Sequence, residues 1–448
     1  MKYLSKLTCS FLFLTVSANV KAETATKSVL KISLEDAEKK TLENNHLIKR
    51  ASYDLKASSA AATSAWKNLL PKIEARMTGG TYHDRERIVG ESELPKVGRD
   101  RNRYQAELVL SQPIFSGFSD TNQIRAKEAA KRRYGMLLDS AKTESKRDVA
   151  RLYFQIELAN LEIDAENEVY ELRKQQYQEV KSRRLQGRAR ELEVLQAEYA
   201  LKSQIPVIKT LQADLDRYTL QFVRMTDIAL DQKFTLTDKI EVAHLAIDEK
   251  KLPDVSEAYK RVVRSNSKYN SKIVEVEEAA YKHKAETSKE HFPTVDFVLF
   301  TGTDSHLRSD VGSPDAVKYG GELRLTVPLF SGFSSFSDNE AIRNERNSLV
   351  EDVAIEREVI LEDLTSAYKM LEVAKERITA ETLNVELASK SIKEAETLYQ
   401  SGRATLTDVL DSYRQKVSAK RNLGKAMFDK IDAYIEIRSL MGVPDETK

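Results

Sequence analysis

Two carboxylates near the end of the chain are spaced so that they could act together. Asp408 and Asp411 are three residues apart in a segment with helical periodicity, so their side chains share one helix face. Carboxylates crowded together attract cations. Asp408 also follows Thr405 by three residues, which is the spacing of a helix capping box. From spacing alone, the cap is the preferred interpretation.

The chain lacks the residue patterns that metal centres and common enzymes require. Its six histidines do not show the His-x-x-x-His spacing of a metal site. It contains no phosphate-binding glycine loop and no Gly-x-Ser-x-Gly nucleophile turn. We therefore expect no enzymatic activity, no metal and no cofactor, and any energy for the function has to come from a partner.

Residues 1–22 have the features of a secretory signal peptide. Lys2 and Lys6 precede a short apolar core, and Val20-Lys21-Ala22 resembles a small-residue cleavage site. The core is too short to span a membrane, and no other run of eighteen apolar residues exists, so no transmembrane helix is predicted. The only cysteine, Cys9, lies in the core, which leaves the mature chain without disulfides.

The composition is typical of long helices and coiled coils. Charged residues make up 31% of the chain, while glycine and proline are scarce. The net charge is +1, and loss of the signal peptide removes three lysines and no acidic residue, which leaves −2. Because no excess of positive charge remains, nucleic acid is not an expected partner.

One motif occurs twice. Pro113-Ile-Phe-Ser-Gly-Phe118 recurs as Pro328-Leu-Phe-Ser-Gly-Phe333, 215 positions later. Pro113 and Pro328 are predicted to end strands, since proline has no N–H to donate, and Gly117 and Gly332 to let the chain turn. The sequence therefore predicts an internal two-fold repeat, with units at 23–226 and 254–448 and a connector at 227–253.

Each unit begins with a helix and then a pair of alternating apolar and polar runs. The runs predict strand pairs at 72–83 with 103–112 and at 294–303 with 319–327. About ten residues is the length of a tilted strand that crosses a bilayer. A soluble hairpin packed on helices is the alternative, and the narrow apolar seams of the neighbouring helices disfavour it. Four strands cannot close a barrel, and open edges are not tolerated in lipid, so membrane strands require several copies.

Long helical hairpins follow each strand pair, at 118–225 and 333–440. The segment from Phe118 to Leu185 would be about 100 Å long as a helix. In the second hairpin, apolar residues from Leu364 to Tyr399 alternate three and four apart, and the first hairpin has matching residues 215 positions earlier, which indicates coiled coils. Gly187 and Gly402 are predicted helix C-caps. Glu166 and Glu381 occupy equivalent positions in the apolar seams of the two long helices. Each is therefore expected to face either a partner or a water-filled interior.

With these motifs, the mature chain resembles the TolC family of outer-membrane export ducts. The specific marks are the paired Pro-Ile/Leu-Phe-Ser-Gly-Phe motifs and the turn Gly402-Arg-Ala-Thr-Leu-Thr-Asp408-Val-Leu-Asp411. The resemblance implies an α+β membrane protein that forms a homotrimer. Twelve strands, four from each chain, would close one barrel, and an α-helical coiled-coil tunnel would continue it across the periplasm of a Gram-negative bacterium.

The resemblance also implies a passive outer-membrane channel in an efflux pump or type I secretion system. Its partners would be a periplasmic adaptor, an inner-membrane pump or ABC exporter, and outer-membrane lipid. A periplasmic adaptor or a structural coiled-coil protein is the alternative, but an adaptor should have one hairpin and a filament should lack the repeated strand pairs. The sequence does not identify the cargo.

The family's functional positions can be placed on this chain. Asp408 and Asp411 match the acidic constriction at the periplasmic tip, where three chains would bring six carboxylates into a ring. Tyr399 matches a tyrosine that holds the tip closed, and Glu193 matches its acidic partner. The family's tip arginine is replaced by Ala404, and Tyr399 as a simple seam residue is an equal alternative. The turns at Gly187 and Gly402 match the adaptor-docking end.

Overall fold

A computed structural model describes residues 30–84, 99–229, 232–247, 252–305, 313–314, 317–329 and 334–442. The predicted signal peptide and Gly332 lie outside the described residues. The described chain is mostly helical and belongs to the α+β class, with two long helical hairpins and one main sheet.

The described elements follow in this order. The first part contains β1 (Leu30–Ile32), α1 (Leu34–Asn44), α2 (His46–Ala65), a 3-10 turn (Trp66–Leu69), β2 (Lys72–Asp84), β3 (Arg99–Phe115), α3 (Ser119–Leu185) and α4 (Glu191–Thr226). The second part contains β4 (Phe234–Leu236), α5 (Ile240–Ala246), α6 (Val255–Ser265), α7 (Ser267–His291), β5 (Thr294–Ser305), β6 (Val317–Thr326), α8 (Ser334–Gln400) and α9 (Leu406–Met441).

The main sheet is antiparallel, with the strand order β2-β3-β5-β6. Its two faces differ in chemistry, because residues that pair across strands share a face and alternate residues point to opposite faces. One face is apolar and includes Ile73, Met77, Leu108, Leu110, Phe297, Leu299, Leu323 and Leu325. The other face is charged and includes Glu74, Arg76, Arg103, Glu107, Asp304, Lys318, Glu322 and Arg324.

The helices keep one lateral order along the length of the chain. Near the sheet, α3 packs between α2 and α7, and α7 packs on α8. Toward the opposite end, which we call the tip, α3 packs between α4 and α9, and α9 packs on α8. Helices α3 and α8 therefore run from the sheet to the tip. One side of the chain is formed by α2 near the sheet and by α4 near the tip, and the other side is formed by α8 at both levels.

A small layer between the sheet and the tip ties the long helices together. It contains β1 paired in parallel with β4, and α1, α5 and α6 pack on the long helices around it. The buried Tyr153 of α3 fixes this layer, because its hydroxyl accepts the N–H groups of Thr237 and Asp238 at 3.0 and 2.9 Å and donates to the Ile32 carbonyl at 3.0 Å. Burial raises the pKa of Tyr153 to about 12.

The structure corrects the predicted end of β3. Pro113 was expected to end the strand, which is wrong, since β3 continues to Phe115. Pro113 still pairs with Asp296, and a bulge at Ile114 lets Phe115 pair again with Val295. Proline is tolerated within a sheet at a bulge, where the ladder is locally interrupted, so the strand continues past a residue that cannot donate. In the second copy, β6 ends at Thr326, two residues before Pro328.

Other boundaries also differ from the sequence-based ones. The strands β2, β3 and β5 are longer than predicted, and β6 covers 317–326 rather than 319–327. The first predicted helix is two helices in the structure, α1 and α2, which meet at Asn45. The Asn45 side chain accepts the Leu47 N–H at 2.8 Å and caps α2. The connector contains β4 and α5, which pack into the middle layer.

Candidate functional site at the helical tip

Two glycine turns build the tip. Gly187 follows α3 and Gly402 follows α8, with φ of +71° and +74°. In each turn, the N–H groups of the glycine and of the next residue donate to carbonyls of the last helical turn at 2.8–3.0 Å. This arrangement is a Schellman C-cap. A Cβ atom at either position would meet nothing within 4 Å, so backbone conformation rather than space requires glycine.

Tyr399 joins the two hairpins just above these turns. Its side chain is buried, and its hydroxyl donates to a Glu193 carboxylate oxygen of α4 at 3.5 Å. The Arg183 guanidinium of α3 lies 4.9 Å from the centre of the ring, within cation–π range. Glu193 also pairs with Arg190 at 3.4 Å. Burial, and then the charge of Glu193, raise the pKa of Tyr399.

The two candidate gate carboxylates have different partners within the chain. Asp408 forms the capping box of α9, since its carboxylate accepts the N–H and hydroxyl of Thr405, both at 2.7 Å. These hydrogen bonds lower the pKa of the fully exposed Asp408 carboxyl. Asp411 pairs with Arg414 on the next turn at 2.8 Å. Asp408 lies in the first turn of α9, where negative charge is favourable, and Asp411 lies one turn further along the helix.

A buried layer supports the start of α9 from behind. Tyr413 is almost fully buried, and its hydroxyl donates to Glu396 of α8 at 2.5 Å. Burial, followed by this hydrogen bond, raises the pKa of Tyr413. Val169, Ala197 and Leu410 belong to the same buried cluster, which brings α3, α4, α8 and α9 together. The position of the carboxylates is thus fixed by packing across four helices.

The acidic seam residue Glu166 faces partners within the chain. Its carboxylate accepts from the amide of Gln204, whose oxygen accepts from Arg173 at 2.8 Å. Arg173 also donates to the Ala200 carbonyl at 2.8 Å. The glutamine thus connects a buried cation with a buried carboxylate between α3 and α4. Glu381, at the equivalent register, accepts from Asn422 at 3.4 Å and from Asn384 at 3.1 Å.

At the opposite end, the charged face of the sheet is held by ion pairs. Asp304 of β5 accepts from Arg103 of β3 and from Lys318 of β6, both at 2.8 Å, so one carboxylate links three strands. Arg76 of β2 pairs with Glu74 at 2.8 Å and reaches Glu107 of β3 at 4.0 Å. The charges on this face therefore largely compensate one another.

The first junction motif turns the chain from β3 into α3. Gly117 has φ of +62°, and a Cβ atom there would lie 2.8 Å from the Cβ of Phe292. Both the conformation and the close approach therefore require glycine. Phe118 follows with φ of +68°, which bulky residues rarely adopt.

Comparison with protein families decides the identity of this architecture. The sequence matches the outer membrane efflux protein family over residues 38–219 and 271–443. The chain belongs to this family. The resemblance drawn from the paired motifs is therefore confirmed, and the protein is an outer-membrane efflux protein that extends into the periplasm. A comparison with curated proteins gives no match.

Solved structures show the same fold as this efflux protein. The outer membrane channel CmeC of Campylobacter jejuni gives a TM-score of 0.80 at 14% identity, covering 91% of this chain and 85% of CmeC. The outer-membrane channel OprN gives 0.79 at 16% identity, with 91% and 89% covered. The outer membrane protein VceC of Vibrio cholerae gives 0.76 at 13% identity, with 91% and 96% covered.

Two kinds of site were sought among the described residues of the efflux protein and not found. No group of three or more metal-ligating side chains is present among the described residues. None of the described helices is long and apolar enough to cross a membrane. Two of the solved structures of similar fold, CmeC and OprN, are outer-membrane channels.

Several tip contacts were not predicted from the sequence. The Arg414 pair with Asp411 has a local signal, because opposite charges three apart on a helix often meet. The contacts of Arg183 with Tyr399, of Tyr413 with Glu396 and of Arg173 with Gln204 have no such signal. They depend on the register in which separate helices pack against one another.

Proposed function

We propose that three copies of this efflux protein join side to side into a passive duct through the outer membrane. The supporting observation is the lateral order of elements, which leaves the same two sides of the chain open at every level. Among the described residues, no strand pairs with the outer edge of β2 or of β6. Helices α2 and α4 lie on the β2 side, and α8 on the β6 side. Sides that differ join head to tail, and such contacts can close into a ring.

The chemistry of the sheet fits a wall between lipid and water. Its apolar face suits acyl chains, and its charged, ion-paired face suits a water-filled lumen. Open strand edges are not tolerated within lipid, so β2 of one copy has to pair with β6 of the next. Three copies would give twelve strands in a closed barrel.

The helices at the open sides expose apolar residues. On α4, Leu192, Leu195 and Tyr199 are exposed at spacings of three and four, which forms one stripe. On α8, Leu383 and Leu387 are exposed one turn apart. Scattered apolar residues on a surface are normal, but stripes on both open sides are expected where copies pack together.

The duplication supports the same ring. Helices α3 and α8 are both 67 residues long, and α4 and α9 are both 36. Two hairpins of equal length in each chain would give six similar hairpins in a trimer. Because the hairpins have equal lengths, they could form a tube that continues the barrel and in which every hairpin reaches equally far. We therefore propose that the chain is an internal two-fold repeat, with one helical hairpin in each unit.

The tip would hold the gate of this duct. Asp408 and Asp411 would face the axis in three copies and form a ring of six carboxylates, which attracts cations. Tyr399 and Glu193 would keep the hairpins together in the closed state. The turns at Gly187 and Gly402 would present the end of the tube to a periplasmic adaptor.

Transport through the duct would be driven by a partner. The sequence has no nucleotide-binding motif, so an inner-membrane pump or ABC exporter would supply the energy, and the adaptor would connect it to the tip. The choice of cargo would reside largely in that inner-membrane protein.

Membrane fractionation and planar-bilayer recording together test this function. The protein should be found in the outer-membrane fraction. In gel electrophoresis it should migrate as a complex before heating and as a monomer after heating. The purified complex should give discrete conductance steps. A soluble monomer without conductance would contradict the proposal.

A further inference from the structure

Two buried polar residues interrupt the apolar seam of α3 above the tip. Arg173 and Gln176 lie between Val169 and Val180 at spacings of four, three and four, so the four residues occupy one buried stripe of the helix. Only 8% of Arg173 and 6% of Gln176 is exposed. The two valines belong to the buried cluster that joins α3, α4, α8 and α9. The seam therefore places two hydrogen-bonding side chains where a coiled coil ordinarily has apolar ones.

Each of these two residues has a donor without an acceptor. Among the described residues, no atom accepts from the Arg173 Nε–H or from the Gln176 side-chain amide nitrogen, and both nitrogens are shielded from solvent. The Arg173 Nη1 group, by contrast, donates to the Ala200 carbonyl and to the Gln204 side-chain oxygen, both at 2.8 Å. Nearly all buried donors in proteins are hydrogen-bonded. Two unsatisfied donors one helical turn apart thus indicate an acceptor from outside the chain.

The charges around the seam favour an anion over a water molecule as this acceptor. Within the described part of the chain Arg173 makes no ion pair, since the Glu166 carboxylate accepts from Gln204 and pairs with Arg421 at 3.5 Å instead. Arg414 of α9 adds positive charge nearby, although it has a carboxylate partner of its own. Burial, and then the charge of Arg414, lower the pKa of Arg173. A buried charge without a partner is unfavourable, and water would not supply negative charge.

We propose that α3 binds one chloride ion here, held by the Arg173 Nε–H and the Gln176 amide group. We call these two residues the seam anion site. Chloride carries the single charge that one guanidinium requires, and a monatomic ion suits a packed seam between helices. The site lies about 20 Å from Gly187 along α3. It is formed within one chain, so the proposal does not rest on the assembly of the duct.

The bound ion would strengthen the first hairpin near the tip. Arg173 already connects α3 with α4 through Ala200 and Gln204. An anion on its Nε–H offsets the cost of burying the guanidinium and leaves these two contacts in place. The free energy of unfolding should therefore depend on the chloride concentration.

Thermal unfolding of the detergent-purified protein tests this dependence. Chloride replaces gluconate in the buffer at constant ionic strength, and unfolding is followed by circular dichroism. A ligand that binds only the folded state stabilises it according to its dissociation constant. The unfolding temperature of the parent protein should exceed its value in gluconate once chloride passes that constant. An unfolding temperature that is the same in chloride and in gluconate would overturn the proposal.

Two substitutions at Gln176 assign the effect to the site. Gln176→Met keeps the volume and removes the donor, so the apparent chloride affinity should fall about tenfold or more. Gln176→Glu places a carboxylate beside Arg173, so its unfolding temperature should not depend on chloride and should exceed that of the parent in gluconate. Gln175→Met and Gln175→Glu are the matched controls, because Gln175 is the exposed neighbour on the same helix, and both should respond like the parent. A chloride response that persists in both Gln176 variants would place the ion elsewhere and overturn the assignment.

Bromide locates the ion directly, also where Gln176→Met fails to fold. Crystals of the parent protein in bromide should give an anomalous-scattering peak within hydrogen-bond distance of the Arg173 Nε and the Gln176 amide nitrogen. Crystals of Gln176→Glu should lack this peak. A parent crystal with no anomalous peak between the two side chains would overturn the proposal and would assign the two donors to water or to each other.

Discussion

The Tyr399 hydroxyl lies 3.5 Å from the Glu193 carboxylate, and this contact joins the second outgoing helix to the first return helix. The ring is buried, while Arg183 covers it at 4.9 Å. One tyrosine thus touches both hairpins of the chain at the end where the proposed duct narrows. Loss of this contact should loosen the tip without affecting the sheet.

We predict that Tyr399→Phe increases the open fraction of the channel. The change removes one hydrogen bond, which is worth about 0.5–1.5 kcal/mol, so the open-to-closed ratio should rise up to about tenfold. Single-channel recording in planar bilayers measures this ratio. Tyr319→Phe, at an exposed tyrosine of β6 far from the tip, is the control. If both variants gate like the parent protein, Tyr399 is a seam residue without a closing role.

The proposed carboxylate gate can be separated from the helix cap. We predict that Asp408→Asn with Asp411→Asn weakens the block of current by multivalent cations, because the ring loses its negative charge. Thr405→Ala is the matched control, since it removes the hydroxyl from the capping box and keeps both carboxylates. Block should persist in that control. Equal loss of block in both variants would show that the cap, rather than the charge, controls the current.

The same gate should remain charged in mild acid. Hydrogen bonds from Thr405 lower the pKa of Asp408, so its carboxylate stays ionised below the usual titration range of aspartate. Cation block in the parent protein should therefore fall off at lower pH than in Thr405→Ala. The measurement is the cation block of single-channel current in the parent and in Thr405→Ala at a series of acidic pH values. Coincident titrations would exclude Asp408 as a blocking site.

The tip glycines allow a test of backbone strain with an internal control. Gly402→Ala forces a Cβ into the left-handed region, which costs roughly 1–2 kcal/mol. Gly135→Ala lies within α3, where a Cβ also meets nothing within 4 Å, and there alanine should stabilise by about 0.5–1 kcal/mol. Thermal unfolding followed by circular dichroism should shift in opposite directions for the two variants. A shift in the same direction would remove the conformational argument for the turn.

Tyr153 should make the middle layer sensitive to alkali. Its pKa is raised to about 12, so the folded protein favours the protonated hydroxyl more than the unfolded chain does. This stabilisation is complete below the ordinary tyrosine pKa of about 10 and is lost as the pH rises toward about 12. Tyr153→Phe should lower the free energy of unfolding by about 1–3 kcal/mol at neutral pH, since two backbone N–H groups lose their acceptor.

Urea unfolding at neutral and alkaline pH checks this prediction. The difference between the parent protein and Tyr153→Phe should shrink as the pH approaches about 12. A constant difference would mean that the hydroxyl does not titrate with unfolding. Tyr319→Phe serves again as an exposed control, and its stability should follow the parent at each pH.

The family followed from local sequence features, because their signals lie within a few residues. The Pro-Ile/Leu-Phe-Ser-Gly-Phe motifs need only the printed sequence. The same is true of the glycines at 187 and 402, since a left-handed helix end strongly favours glycine. The alternation of side chains in 294–303 likewise indicates a strand, because successive residues of β5 face opposite sides of one sheet.

The remaining features depend on contacts between distant parts of the chain. The strand β1 has only three residues and pairs with β4 about two hundred positions away, so no periodicity marks it. The bulge at Ile114 arises from the fit of β3 to β5, and the proline gave the opposite indication. The Arg173 contact with Gln204 requires the register of α3 against α4, which the separate helical patterns do not determine.

Assembly should depend on the apolar stripe of α8. Leu383→Glu with Leu387→Glu places charge on an exposed apolar surface that the proposed ring buries between copies, and an unpaired buried charge is strongly unfavourable. Complex formation in detergent should be lost or greatly reduced. Leu383→Met with Leu387→Met, which keeps the stripe apolar and of similar volume, should assemble normally. Normal assembly of the double variant would place the contact elsewhere.

The central claim is that identical chains complete one another at β2 and β6. Native mass spectrometry of the detergent-purified protein measures the number of copies directly. The proposed duct predicts a complex of three chains, with no stable monomer under the same conditions. A predominant monomer, or a complex with any other number of copies, would contradict it.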